Sequence, residues 1–218
     1  MEMKTWFKTH TYCLSLLYFV FYLSAFFLLE QFSVPKYTIH CIVDDWIPFC
    51  EIFIIPYFIW FILLIGALGY YLFKQKEDFQ NLCFLMFIGM TICIVIYAIF
   101  PNGLSLRSDL PRDNIFCKWV SLLYLIDTPT NVCPSIHVSS TIAIYEVTKR
   151  SVCFKERKGI VLSVGLLAWL ICLSTLFLKQ HSIIDVVLGY VLSKILAKIT
   201  YETNWRRFIA QVGLKKLL

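Results

Sequence analysis

Six apolar segments constrain this chain more than anything else in it, because most are close to the ~20 residues that a helix needs to cross a bilayer core. They cover residues 12–29, 52–73, 82–100, 135–148, 160–178 and 182–199. A water-soluble domain keeps about a quarter of its residues charged and less than half apolar. Here 59% of 218 residues are hydrophobic and 16% charged, with a mean hydropathy of +0.74. The expectation is an all-α integral membrane protein, one domain over residues 1–218, with six transmembrane helices in a bundle. The fourth segment is short and starts with polar residues, so its helix should begin at the membrane edge, facing protein or water.

The net charge of +6 is gathered in short clusters between these segments. Lys4 and Lys8 precede the first, and Lys74 and Lys76 join the second to the third. Lys149, Arg150, Lys155, Arg157 and Lys158 join the fourth to the fifth; Arg206, Arg207, Lys215 and Lys216 follow the sixth. All four clusters fall on one side of a six-helix arrangement. The positive-inside rule makes that side cytoplasmic and puts both termini there. The other side carries Asp44, Asp45, Glu51, Asp109, Asp113 and Asp127 with few cations. No basic stripe interleaved with polar or aromatic residues is present, which argues against nucleic acid as a partner.

The first segment has no small-residue cleavage pattern after it, so it reads as a retained helix and not a signal peptide. Residues 201–218 place Trp205, Phe208, Ile209, Val212 and Leu217 among basic residues. They read equally as an amphipathic helix on an anionic inner leaflet or as a solvated tail. Nine cysteines include no C-x-x-C, so neither a metal nor another cofactor is expected. Cys13, Cys83, Cys93 and Cys172 lie in apolar segments, where a thiol behaves as a small hydrophobe. Cys41, Cys50, Cys117 and Cys133 share the outward loops and allow up to two bridges without requiring any.

Three outward clusters carry residues that plain loops do not need: 101–114, 131–138 and 179–185. The first supplies Asn102, Arg107 and Arg112, the second Ser135 and His137, the third Lys179, His181 and Asp185. His181 and Asp185 are four apart at the start of a segment and share one helix face. A carboxylate on one imidazole nitrogen fixes the tautomer and leaves the other nitrogen nucleophilic. The bland reading of that pair is an acidic residue at a helix start beside an interfacial histidine. Pro134 and Ser135 suit a helix start, whose free N–H groups attract phosphate and place His137 to deliver a proton. A capped helix with an interfacial histidine is the plain alternative. Arg107, Arg112 and Lys179 offer cations for phosphoryl oxygens, or equally for lipid headgroups. Together the three clusters describe a metal-free phosphoryl-transfer site.

These residues resemble the type-2 phosphatidic acid phosphatase superfamily, whose motifs are K-x6-R-P, P-S-G-H and S-R-x5-H-x3-D. The second reads Pro134-Ser135-Ile136-His137, with isoleucine in place of glycine. The third reads Ser174-Thr175, then His181 and Asp185 at the family spacing, with threonine in place of arginine. In the first, Arg107 matches, while Phe100 stands at the lysine position and Ser108 at the proline. The resemblance spans the six-helix layout and is carried by residues 101–186.

The resemblance implies His181 as the nucleophile of a phosphohistidine intermediate, Asp185 as its orienting carboxylate, and His137 as leaving-group acid and then acceptor base. It further implies Ser135, Arg107 and amides near Ile136 as phosphate ligands, with Asn102, Lys179 and Arg112 as further candidates. The substrate is then a phosphate-bearing lipid in a plasma or inner membrane, approached from outside. The missing lysine and arginine resemble the branch with inositol phosphorylceramide and sphingomyelin synthases, where a lipid alcohol replaces water, and so does the stretch 44–57. Hydrolysis of a lipid phosphate (phosphatidic acid or prenyl diphosphate type) is the first reading and headgroup transfer the second. A non-catalytic lipid-binding protein is the third.

Overall fold

A computed structural model of the chain describes residues 9–107, 109–211 and 213. Their regular structure is helical, apart from a short parallel pairing of β1 (Tyr37–Thr38) with β2 (Asn102–Gly103). A 3-10 helix, Thr11–Leu17, leads into α1 (Tyr18–Phe32), and α2 (Ile42–Trp46) is a single short turn. A second 3-10 helix, Glu51–Phe53, leads into α3 (Ile54–Lys74). Then come α4 (Lys76–Ile99), α5 (Ile115–Ile126), α6 (Ile136–Arg150), α7 (Lys158–Phe177), α8 (Ile183–Glu202) and α9 (Trp205–Gln211).

Four stretches, Thr11–Phe32, Glu51–Lys74, Lys76–Ile99 and Lys158–Phe177, are long and apolar enough to cross a membrane. Their outer faces carry bare large side chains, among them Phe21, Phe27, Ile62, Ile65, Leu162 and Trp169, each more than half exposed. Apolar surface of that extent is unfavourable in water but suits a hydrocarbon solvent. The chain is built as a membrane protein.

The segments 135–148 and 182–199 form α6 and α8. α6 has 15 residues, and α8 carries Asp185, Lys194, Lys198 and Glu202. α6 is the central helix, packed against α4, α7, α8 and α3. Its neighbours are protein on most sides, which is why a weakly apolar sequence suffices there. Ser139, Ser140, Thr141 and Thr148 are all buried. Ser140 and Thr141 donate to the carbonyls of Ile136 (2.7 Å) and His137 (2.6 Å), and Thr148 to that of Ile144 (2.8 Å). Trp60 Nε1 and the Tyr71 hydroxyl, both from α3, donate to Ser140 Oγ and Thr148 Oγ1 at 3.0 Å each. Each such bond contributes about 1 kcal/mol net and removes the penalty of a bare buried hydroxyl.

Three features depart from the reading of the sequence. α5 occupies residues assigned there to a connection. Asn114 caps it by accepting from the Cys117 N–H at 2.9 Å. Cys117, Val120 and Leu123 are buried, while Ile115, Trp119, Leu122 and Ile126 face out at spacings of four, three and four. Twelve residues are too few to cross a bilayer, so this apolar stripe suits its surface. α4 starts at Lys76, ahead of its apolar run, because Glu77 and Asp78 in its first turn complement the helix dipole.

Residues 201–211 are docked and not free: Trp205 stacks on Phe84 at 4.3 Å and Arg206 donates to Asn81 Oδ1 at 2.9 Å. Val212 and Leu217 lie outside the described residues, with Lys4, Lys8, Ser108, Lys215 and Lys216. All nine cysteines, including Cys41, Cys50, Cys117 and Cys133, are free thiols.

Candidate active site

The starts of α6 and α8 are locked together, and this positions two histidines. Ser135 is the N-cap of α6, accepting from the Val138 N–H at 3.3 Å, and follows a cis Cys133–Pro134 bond. The Ser135 N–H in turn donates to the Asp185 carbonyl at 3.1 Å. Gly189, one turn further along α8, lies so close that a Cβ there would sit 2.6 Å from the Ser135 carbonyl oxygen. Only glycine allows that approach without moving one backbone against the other. Upstream, Tyr97 donates to the Pro134 carbonyl at 2.5 Å.

Ser182 caps α8, accepting from the Ile184 N–H at 3.2 Å, and its own N–H donates to Asp185 Oδ2 at 2.9 Å. Asp185 is therefore the helix-start carboxylate of the bland reading. The same oxygen also lies 3.3 Å from His181 Nδ1, within hydrogen-bonding reach of the ring. Its other oxygen, Oδ1, is buried and accepts no ordinary hydrogen bond among the described residues, while the Cys133 thiol faces the same carboxylate. His181 turns Nε2 toward His137 Nδ1, 3.3 Å away.

Two residues that the sequence reading missed extend the row. His137 Nε2 lies 3.0 Å from the Tyr57 hydroxyl, which donates to Asp127 Oδ2 at 2.6 Å. Tyr57 comes from α3 and Asp127 from the end of α5. Asp185, His181, His137, Tyr57 and Asp127 thus form one continuous hydrogen-bonded row. Tyr57 donates to Asp127, so its oxygen can accept from His137 Nε2–H, while the direction of the links at His181 follows the tautomers of the two rings. The Trp60 ring, 4.4 Å between centroids, packs on His137 and shields it on one side.

Arg107 approaches the same place from the loop after β2. It donates to the carbonyls of Asp127 (2.7 Å) and Tyr124 (3.3 Å) and to the Gln180 side-chain oxygen, and stacks 4.4 Å over the Tyr124 ring. Burial pulls its pKa down, and the Asp127 charge offsets that only in part. Among the described residues Arg107 Nε and Gln180 Nε2 are buried donors without partners, Gln180 next to His181 in the chain and Arg107 bonded to Gln180. Gln180 is the third site residue that sequence reasoning passed over.

The other phosphate-ligand candidates are engaged elsewhere. Asn102 is fully buried and organises the loop that carries Pro134. Its amide donates to the carbonyls of Phe100 and Cys133, and its oxygen accepts from the Val132 and Cys133 N–H groups at 3.0 and 2.8 Å. Lys179 ends α7 in the left-handed region, with φ of 55°. Its ammonium donates to the carbonyls of Asp44 and Ile47 at 2.8 and 2.5 Å, and burial lowers its pKa. Asp44 itself caps α8, accepting from the Ile183 N–H and the Ser182 hydroxyl. Arg112 pairs with Glu51 at 2.5 Å on the surface. Phe100 stacks on Tyr37 at 4.2 Å, and Thr175 donates to the Cys172 carbonyl.

No group of three or more histidine, cysteine, aspartate or glutamate side chains is placed to hold a metal ion among the described residues. Comparison of the chain with protein-family models, with curated proteins and with solved structures finds no match.

Proposed function

We propose that the chain catalyses metal-independent phosphoryl transfer on a membrane lipid through a phosphohistidine, most simply hydrolysing a lipid phosphate. The observation that carries this reading is the row itself: a carboxylate on His181 Nδ1, and His137 Nδ1 on His181 Nε2, 3.3 Å each. With Nδ1–H held by Asp185, His181 Nε2 bears the lone pair that attacks phosphorus. The bond from phosphorus to the leaving oxygen breaks as the N–P bond forms, and the His137 Nδ1 proton passes to that oxygen. His137 then removes a proton from the acceptor hydroxyl, whose oxygen attacks phosphorus and frees His181. Asp127, through Tyr57, stabilises His137 in its doubly protonated form. Arg107 Nε–H and the Gln180 amide supply the donors for the phosphoryl oxygens.

α1, α3, α4, α6, α7 and α8 form the six crossings of this reading. The basic clusters put both termini in the cytoplasm and the histidines toward the outer leaflet of a plasma or inner membrane. A cysteine placed at the exposed Asp113 should then label from outside, above the wild-type background. Labelling only after permeabilisation inverts the topology.

Transfer of a phospho-headgroup to a lipid alcohol is the second reading, favoured by the aromatic and hydroxyl side chains that stand where hydrolases carry cations. The test is full-length protein in detergent with short-chain phosphatidic acid or prenyl diphosphate, with and without a lipid alcohol. Free phosphate supports hydrolysis and acceptor-dependent product supports transfer. Activity that survives His181→Ala, or that a chelator abolishes, refutes the phosphohistidine.

A further inference from the structure

A second feature of the α6–α8 pair lies away from the histidines. Between α6, α7 and α8 runs a cleft of about 1060 Å³. Ile142, Leu162, Leu166, Trp169, Leu173 and Val187 line its apolar length. α6 runs away from Ile136 to Arg150, α7 returns from Lys158, and α8 again runs away from Ile183. Lys149, Lys155, Lys158 and Lys194 therefore line the end opposite the histidines, with Glu146 as the one carboxylate in the lining. Glu156, in the same connector, does not line the cleft. Glu146 is nearly fully buried and already held by Lys194 at 2.6 Å and by Arg150. No ion pair joins Lys149, Lys155 or Lys158 to a carboxylate among the described residues.

We propose that this cleft binds an anionic phospholipid, with its phosphodiester headgroup among Lys149, Lys155 and Lys158 and its acyl chains along α7. Three ammonium groups with no carboxylate of their own, above an apolar slot, match that ligand in both charge and shape. From Lys158 to Leu176, α7 rises about 27 Å, more than the roughly 15 Å of one leaflet's hydrocarbon. The slot is thus long enough for acyl chains that start at the lysine end. Lys194 is committed to Glu146 and forms the inner limit of the headgroup pocket. The inference stands apart from the chemistry at His181.

The test is native mass spectrometry of full-length protein in mild detergent, titrated with phosphatidylglycerol and with phosphatidylcholine of the same chains. The expected result is one retained lipid with about a hundredfold preference for phosphatidylglycerol, about 2.8 kcal/mol at roughly 1.4 kcal/mol per tenfold. Lys149→Gln, Lys155→Gln and Lys158→Gln combined should bring the preference to near unity with helicity unchanged. Leu166→Trp, which narrows the slot, should weaken retention of both lipids and leave the preference in place. Equal retention of the two lipids by the wild type overturns the proposal, and so does a preference that survives the triple variant. Retention lost in His181→Ala but kept in the triple variant overturns it too, because the cleft then serves chains of a lipid held at the histidines.

Discussion

The two ends of the α6–α8 pair each bury a carboxylate, and they treat it in opposite ways. At one end Glu146 has both oxygens occupied, one by Lys194 and one by Arg150. At the other, Asp185 shares one oxygen between a backbone N–H and His181, and the second has no stronger donor than the Cys133 thiol among the described residues. A buried carboxylate matched by two permanent cations is a structural joint, since its charge has nothing left to do. A carboxylate facing a titratable ring, with bonding capacity unspent, can respond when the charge on that ring changes. The same pair of helices therefore carries a fixed joint at one end and, on the proposed function, a proton-handling row at the other.

The largest expected effect is at the histidine end. His181→Ala should lower turnover by about 10⁴-fold or more in the phosphate-release assay, while leaving the thermal midpoint within a few degrees. Glu146→Ala should do the reverse. It leaves Lys194 and Arg150 without their acceptor, which for a fully buried pair costs about 3–5 kcal/mol. Both cations are about two-fifths exposed (41% and 38%), so about 2 kcal/mol is expected here. Thermal unfolding in detergent measures it, and adding Lys194→Ala should recover part of the loss. An inactive but fully stable Glu146→Ala would place chemistry at both ends and remove the distinction.

Tyr57→Phe should cost less. It deletes the hydroxyl between His137 Nε2 and Asp127 and leaves both facing a gap, a loss of about 1–2 kcal/mol or roughly tenfold in kcat. Asp127→Asn should match it, and the double variant should add little, because the two residues act on His137 through one contact. Additive losses would mean that the Asp127 carboxylate works elsewhere, for instance through its charge on Arg107.

How much of this was visible in the amino-acid string follows from the range over which each contact acts. His181 and Asp185 are four apart and do meet, although His181 stands just ahead of α8, which begins at Ile183, and the membrane class followed from segment length. Tyr57 and Asp127 meet across 70 residues, and a tyrosine in an apolar segment carries no mark of function. The only local sign of Asp127 was an acid directly after the apolar run SLLYLI. Asn102 and Lys179 were read as phosphate-ligand candidates, and both instead bond main-chain groups of neighbouring loops. What they bond was hidden, because it depends on where a loop turns its carbonyls. α5 was missed because Arg107, Arg112 and three aspartates around it masked a 12-residue helix whose apolar stripe faces outward.

A smaller effect concerns the cover that Asp44 and Lys179 place over the start of α8. Burial pushes the Asp44 carboxyl up, but the Ile183 N–H, the Ser182 hydroxyl and the Cys41 N–H more than offset this and hold it below the usual range. A depressed folded-state pKa contributes stability that is present above the unfolded value, about 3.9, and is lost as pH falls through the folded one. Thermal midpoints should therefore drop below about pH 4 in the wild type, and Asp44→Asn should flatten that decline. A decline of equal steepness in the variant would assign the acid sensitivity to another carboxylate.

The smallest effect marks where the histidine end stops. Arg112 and Glu51 form a short ion pair on the same side of the molecule, but the arginine side chain is 58% exposed. Exposed pairs contribute little, typically under about 1 kcal/mol, because water and salt screen them and two long side chains must be held in place. Glu51 also keeps a second donor, the Asn114 amide at 2.9 Å, so its carboxylate is not stranded when the arginine goes. Arg112→Gln should leave the thermal midpoint almost unmoved and leave both kcat and KM for short-chain phosphatidic acid within about twofold. A KM that rises tenfold with kcat unchanged would show the guanidinium meeting the substrate phosphate, and would extend the reactive region from the histidines out to α5. Without such a rise, the proposed function keeps Arg107 as its cation, and Arg112 is a surface partner of Glu51 that Asn114 can replace.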